Sequence, residues 1–158
     1  MNLFYTDFDI EKTVMSLDDR RLIKQILECK VILGVAIQNK TGYAKHPVVA
    51  YYKDYPAFVS YYAVVACHEY EYRFKKQHAY LNDFLQVFMA CNLLQDPIPD
   101  PIYVEGKTGC PTSIRTTNAY ECVQLFREKL CNKWNTDKRA PKWTVRKKPE
   151  WYVECDTK

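Results

Sequence analysis

No stretch of this chain approaches the roughly 18 uncharged apolar residues of a membrane span. The longest apolar run, Ala57 to Cys67, is followed at once by His68 and Glu69. The opening Met-Asn-Leu-Phe-Tyr-Thr-Asp lacks the basic start and small-residue cleavage site of a secretory signal. These absences place the expected protein in the cytoplasm, with no membrane partner. There is also no CxxC, and the number of cysteines (29, 67, 91, 110, 122, 131 and 155) is odd. Cys67 and His68 are adjacent, so on a helix their side chains diverge. Four of the cysteines fall in apolar helical runs, where a free thiol behaves as a small hydrophobe. The expectation is reduced thiols and no metal site. No internal repeat and no separating linker is present, so residues 1–158 read as a single domain.

What is present is a globular composition: 158 residues, 47% hydrophobic and 15% aromatic, enough to bury a core without staples. The pattern predicts a mostly helical, compact fold with at most a short N-terminal strand over Leu3 to Thr6. Asp7 or Asp9 caps a short helix to about Met15. Ser16 caps a long one that runs to Val35 or Gln38, with Asp18 and Asp19 in its first turn. Asn39 to Gly42 is a loop, and His46-Pro47 opens the next segment. Asp54 and Pro56 start a helix that reaches about Gln77, another covers about Tyr80 to Leu94, and a last one about Thr117 to Trp134. Residues 95–113, with their prolines and glycines, are an irregular loop. Residues 135–158 form a basic tail whose Trp143, Trp151 and Tyr152 anchor it to the body.

The net charge of +4 is unevenly placed. Between Arg127 and Lys148 nine basic residues face only Glu128 and Asp137, a balance that suits either a polyanion or a solvated surface. At about 100° per residue, Arg21, Lys24, Gln25 and Glu28 share one helical stripe, and Leu22, Ile23, Ile26, Leu27, Val31 and Leu33 fill most of the rest. This reads either as a functional face or as an amphipathic helix with a wet side and a Lys24–Glu28 pair. Lys30 sits inside the apolar arc, where a lysine must pair, snorkel or lose its proton, and it points away from Glu28. His46, between Gly42-Tyr43 and Pro47, lies in a constrained loop and is either a site residue or a cap. Glu69 and Arg73 are spaced for an ion pair within one helix. Lys142, Trp143 and Arg146 interleave charge and aromatic surface, as base stacking needs, although such residues also pin tails to cores.

The run Leu17-Asp-Asp-Arg-Arg-Leu-Ile-Lys-Gln-Ile-Leu-Glu-Cys-Lys-Val-Ile-Leu-Gly34, then Gly42-Tyr43 and His46-Pro47, resembles the pyrimidine-dimer DNA glycosylase family, typified by phage endonuclease V. The Met-Asn-Leu-Phe start and the Pro141 to Trp151 ending look closest to its phage and bacterial branch. The resemblance covers residues 1 to about 78 and the C-terminal third. It implies a compact helical fold on kinked duplex DNA with a flipped nucleotide. An amine attacks the sugar C1′, the base leaves, and the Schiff base undergoes β-elimination with help from a glutamate. No cofactor is implied. The family's glutamate falls on Glu28. Its amine is an N-terminus exposed by removal of Met, but residue 2 here is Asn, which disfavours removal, so the amine belongs to Met1, or is replaced by Lys24 or Lys30. Leu27 and Val31 stand where the family has arginines near the glutamate.

The leading expectation is therefore a base-excision protein, glycosylase and abasic-site lyase in type, acting on damaged or modified DNA. Its candidate catalytic residues are Glu28, Met1, Lys24 and Lys30. Its candidate nucleic-acid or nucleotide ligands are Arg20, Arg21, Gln25, His46, Arg73, Lys142, Trp143 and Arg146. One alternative is an inactive relative that sequesters a nucleotide or nucleotide-derived immune signal. Another is a protein-interaction accessory, and the tyrosines of residues 56–76 offer a face for a homodimer.

Overall fold

The computed structural model describes residues 1–93 and 119–153, in which the order is α1 (Ile10–Ser16), α2 (Asp19–Gln38), α3 (Pro47–Tyr52), α4 (Pro56–Phe74), α5 (Leu81–Leu93) and α6 (Ala119–Thr136). The mostly helical expectation holds, and no strand occurs among the described residues; Leu3 to Thr6 is extended chain. The loop expected at residues 95–113, and Cys110 and Cys155, lie outside the described residues. No described helix is long and apolar enough to cross a membrane.

α4 packs against α5, α2 and α1. It can do so because apolar and small residues surround it: Phe58, Val59, Tyr62, Ala63, Ala66 and Cys67 are all buried. Pro56 at its start needs no intrahelical N–H partner, and Lys75 ends it in the left-handed conformation at φ 54°. Of the tyrosines expected to offer a homodimer face, Tyr72 is 47% exposed and others pack within the chain. Tyr62 is fully buried, Tyr61 lies against Phe88 and Tyr70 against Phe74. Asp9 caps α1 by accepting from the Glu11 and Lys12 amides. Ser16, expected to cap α2, is instead the last residue of α1, with its hydroxyl on the Thr13 carbonyl and beside Thr6. The cap of α2 is Asp18, whose carboxylate turns away from its own helix to accept the Trp134 indole N–H at 2.7 Å.

Arg73 is the polar hub of this packing. Expected to meet a phosphate, it is only 2% exposed and all its nitrogens are engaged. Nε donates to Glu69 (2.7 Å), Nη1 to the Leu17 carbonyl (2.7 Å) and to Asp19 (3.1 Å), and Nη2 to the Met15 carbonyl (3.0 Å). The Glu69–Arg73 spacing thus gives the ion pair it foretold, and α4 is bolted to the α1–α2 junction. Arg146 and Trp143, expected on nucleic acid, are drawn into the same region. Arg146 forks onto both Glu69 oxygens at 2.9 and 2.8 Å, and the Trp143 indole donates to the Ser16 carbonyl. Trp134 stacks on Trp151 and meets Trp143 and Tyr152 edge-on. The tail aromatics are therefore packed against the core, as an anchor needs, while Lys142 keeps an exposed side chain and gives its carbonyl to Asp19 N–H.

Burial raises the Glu69 carboxyl, but Arg146 and Arg73 outweigh it and hold it below the ordinary carboxylate range. A depressed folded value means stability that is complete above the unfolded pKa of about 4.5 and is lost as pH falls through the folded value. Glu69→Gln should destabilise at pH 7 by about 3–5 kcal/mol, because two guanidiniums are left without their partner. In urea melts at pH 7 and pH 3 the gap between wild type and variant should shrink at pH 3; an equal gap at both would remove Glu69 as the acid-sensitive contact.

Candidate active site

The extended amino end lies in a cleft between α2 and α4, and a buried glutamine holds it there. Gln25 Oε1 accepts the Phe4 N–H at 2.8 Å; its Nε2 donates to the Asn2 carbonyl at 2.7 Å and to Glu28 Oε2 at 2.8 Å. The Tyr62 hydroxyl, from α4, donates to the Phe4 carbonyl at 3.0 Å with Gln25 Oε1 at 3.3 Å. Only one orientation of the amide satisfies an N–H on one side and two oxygens on the other. Farther along, Thr13 receives the Thr6 and Asp7 amides, and Arg127 from α6 donates to the Thr6 carbonyl at 2.7 Å. The strand thus has partners on several elements without joining a sheet.

This placement delivers the amino terminus to Glu28. The Asn2 N–H donates to Glu28 Oε2 at 3.2 Å. Met1 is one residue away, so its amine lies no more than about 7 Å from that oxygen, given about 3.6 Å of chain per residue. Glu28 is 6% exposed. Burial raises its carboxyl above the ordinary value, opposed by the Asn2 amide, the Met1 ammonium, Lys24 and Gln25. The same ammonium reaches His46, whose pKa is lowered by burial first and by that charge second. His46 caps α3, its Nδ1 accepting the Val48 N–H at 3.2 Å, which leaves Nε2 as its proton-bearing nitrogen when neutral. Backbone bonding thus brings Met1 near Glu28, and His46 and Lys24 are linked to that pair by charge alone.

Other predicted site residues fall elsewhere. Gln25 and Glu28, read as part of a wet stripe, are buried because the strand covers them, and among the described residues no Lys24–Glu28 ion pair forms. Ile23 and Leu27, read as apolar filling, are instead 37% and 46% exposed. Lys30 is not buried: it snorkels to the α5 side, with Nζ 3.4 Å from the centre of the Tyr80 ring. Arg20 and Arg21 both bind Asp137 after α6. Asn2 and Tyr62 were missed, and nothing local could have marked them, since one acts through its backbone and the other from a different helix. Cys29 and Cys67, deep in the core, have thiols raised by burial, Cys67 to about 12, so neither is a ready nucleophile.

The body is helical, and its amino terminus is held near a carboxyl that burial raises. The sequence model of the pyrimidine dimer DNA glycosylase family matches residues 1–82, and the chain belongs to that family. No curated protein and no solved structure matches it. The matched stretch holds all of the strand, α2, His46 and Tyr62.

A carboxyl raised on folding makes the native state hold a proton that the unfolded chain gives up, so stability falls as pH rises from about 4.5 through the folded value, and the penalty persists at neutral pH. Glu28→Gln removes it while keeping an acceptor for Asn2. At pH 7 the variant should melt at the same temperature as wild type or higher, by calorimetry, and at pH 4 the advantage should disappear. A drop in Tm at pH 7 would show that the ionised carboxylate is structurally required.

Proposed function

We propose that the protein excises damaged or modified bases from DNA, with the Met1 α-amine as nucleophile and Glu28 as the group that moves protons. The observation that carries this reading is the Asn2–Glu28 hydrogen bond, which holds the amine within reach of a carboxylate raised by burial. The unprotonated amine forms a bond to the sugar C1′ as the glycosidic bond breaks, and the base leaves with that electron pair and takes up a proton. Ring opening leaves an imine, which acidifies the C2′ hydrogen. Removal of that proton expels the 3′ phosphate by β-elimination. A carboxyl that burial raises above its ordinary value is better suited than a free one to accept and return protons in both stages. His46, on whose titration the same ammonium acts, carries an Nε2–H that serves as a donor for a sugar or phosphate oxygen. The flipped nucleotide such chemistry needs is taken out of the stack before reaction.

Borohydride trapping on a duplex with one abasic site tests the proposal. A covalent adduct mapped by mass spectrometry to Met1 is expected. Glu28→Gln should slow strand cleavage by about 10²–10⁴-fold, the usual scale of positioned acid–base catalysis. An adduct at Lys24 would move the nucleophile from the amino terminus to α2, one turn before Glu28. No adduct and no cleavage would overturn the reaction and favour a pocket that holds a nucleotide unchanged.

A further inference from the structure

α2 and α5 both pack on α4, and between them lies a cleft of about 250 Å³ to which neither Met1 nor Glu28 contributes. Its walls are two helical stripes. Lys30, Leu33, Gly34 and Ile37 on one side, and Tyr80, Asp83, Phe84 and Val87 on the other, each repeat the spacing of a single helix face. Stripes of this kind ordinarily interdigitate and close. Here the α2 stripe carries a glycine at its centre, a poor residue for a helix interior. Lys40 folds back over that glycine. Asn39 turns the chain in the left-handed conformation at φ 53°, and the Lys40 N–H bonds the Gly34 carbonyl at 3.2 Å. A Cβ at residue 34 would stand 3.2 Å from Lys40 Cδ and 3.9 Å from its Nζ, so a larger side chain there would push the lysine aside.

Lys30 lies one turn before Gly34 on the same face, its Nζ 3.4 Å from the centre of the Tyr80 ring. Two ammoniums thus border the cleft, and among the described residues neither is in an ion pair. Asp83 is the one carboxylate of the lining, which leaves positive charge in excess. The floor is apolar, with Leu33 and Phe84 buried. An apolar solute would leave the lysines unanswered, and a bare anion would leave the floor wet. A ligand that answers both has a negative group and a flat ring whose N–H groups suit Asp83 and Gln86. The volume falls just below the usual range for small-molecule sites, about 300–1,000 Å³, and so excludes an oligonucleotide.

We propose that this cleft binds a small planar heteroaromatic anion with the chemistry of a nucleoside monophosphate, its phosphate at Lys30 and Lys40 and its base on the floor at Phe84. The inference does not rest on the DNA-acting reading, since it uses none of Met1, Glu28 or His46.

Isothermal titration calorimetry with deoxynucleoside 5′-monophosphates tests the site, with the matching nucleosides and inorganic phosphate as partial ligands. At least one monophosphate should bind, and more tightly than its nucleoside or phosphate alone. Lys40 is exposed, so Lys40→Gln leaves the core untouched; it should weaken binding about tenfold or more, the loss of one charge-assisted hydrogen bond. Gly34→Leu should abolish binding, because the added side chain enters the cleft. A thermal melt checks that this variant folds, and if it does not, Lys40→Gln alone decides. No binding by any monophosphate at millimolar concentration would overturn the site. Phosphate alone binding as tightly as the nucleotide would also overturn it, by reducing it to a bare pair of lysines. So would binding that survives both substitutions, which would place the ligand elsewhere on the chain.

Discussion

A glutamine side chain buried between α2, α4 and the amino end decides whether the site exists at all. An extended chain of six residues has no ladder to bond to here, and its buried N–H and C=O groups need partners. Gln25 provides a donor and an acceptor from one rigid plane, to Asn2 and Phe4, and Tyr62 adds a hydroxyl on the Phe4 carbonyl. Each such bond contributes about 1 kcal/mol net, whereas an orphaned buried group costs about 1–3 kcal/mol. The amide therefore works mainly by making other registers of the strand expensive. A slip by one residue would put Leu3 or Met1 amide atoms where Asn2 now meets Glu28. Geometry at the amine thus follows from a residue that does no chemistry.

The second constraint lies at the opposite end of the same helix start. Arg73 bonds the carbonyls that end α1 and the Asp19 that opens α2, and Glu69 joins it to Arg146 in the tail. Thr144 adds its hydroxyl to Asp19 at 2.7 Å. Trp134 reaches the Asp18 carboxylate, whose Oδ2 has no hydrogen-bond partner and whose pKa burial raises, offset in part by Trp134 and the nearby arginines. Segments far apart in sequence converge on one helix N-terminus, where negative charge is favoured by the exposed amides. That fixes the axis of α2, and with it the line on which Gln25 and Glu28 stand.

The helices were largely legible because their apolar periodicity and punctuation are local. Asp9, Pro56 and the Glu69–Arg73 spacing acted as their chemistry suggests. The errors share one cause, which is long-range cover. A helical wheel assigned Gln25 and Glu28 to solvent because it cannot know that residues 2–4 return to lie over them. It placed Lys30 in the apolar arc with pairing, snorkelling or proton loss left open, and the four-carbon stem lets the charge leave along Tyr80. α3 was too short to separate from the His46-Pro47 turn by pattern alone. Arg73, Trp143 and Arg146, offered by type as nucleic-acid or nucleotide ligands and by spacing and composition as an ion pair and an anchor, meet carbonyls and a carboxylate of the chain. The family motif located Glu28, but its burial and its neighbours needed the structure.

The match to the family ends at residue 82, while the fold does not end there. Arg127 grips the strand at Thr6, Trp134 grips the cap of α2, and Asp137 engages Arg20 and Arg21. The C-terminal part therefore completes the N-terminal part mechanically, and it spends its aromatic residues and several of its cations doing so. What it leaves over is informative. Lys129 and Lys133 are in no ion pair among the described residues, and Asp137, which braces Arg20 and Arg21, offsets the neighbouring cations at Lys133 only in part.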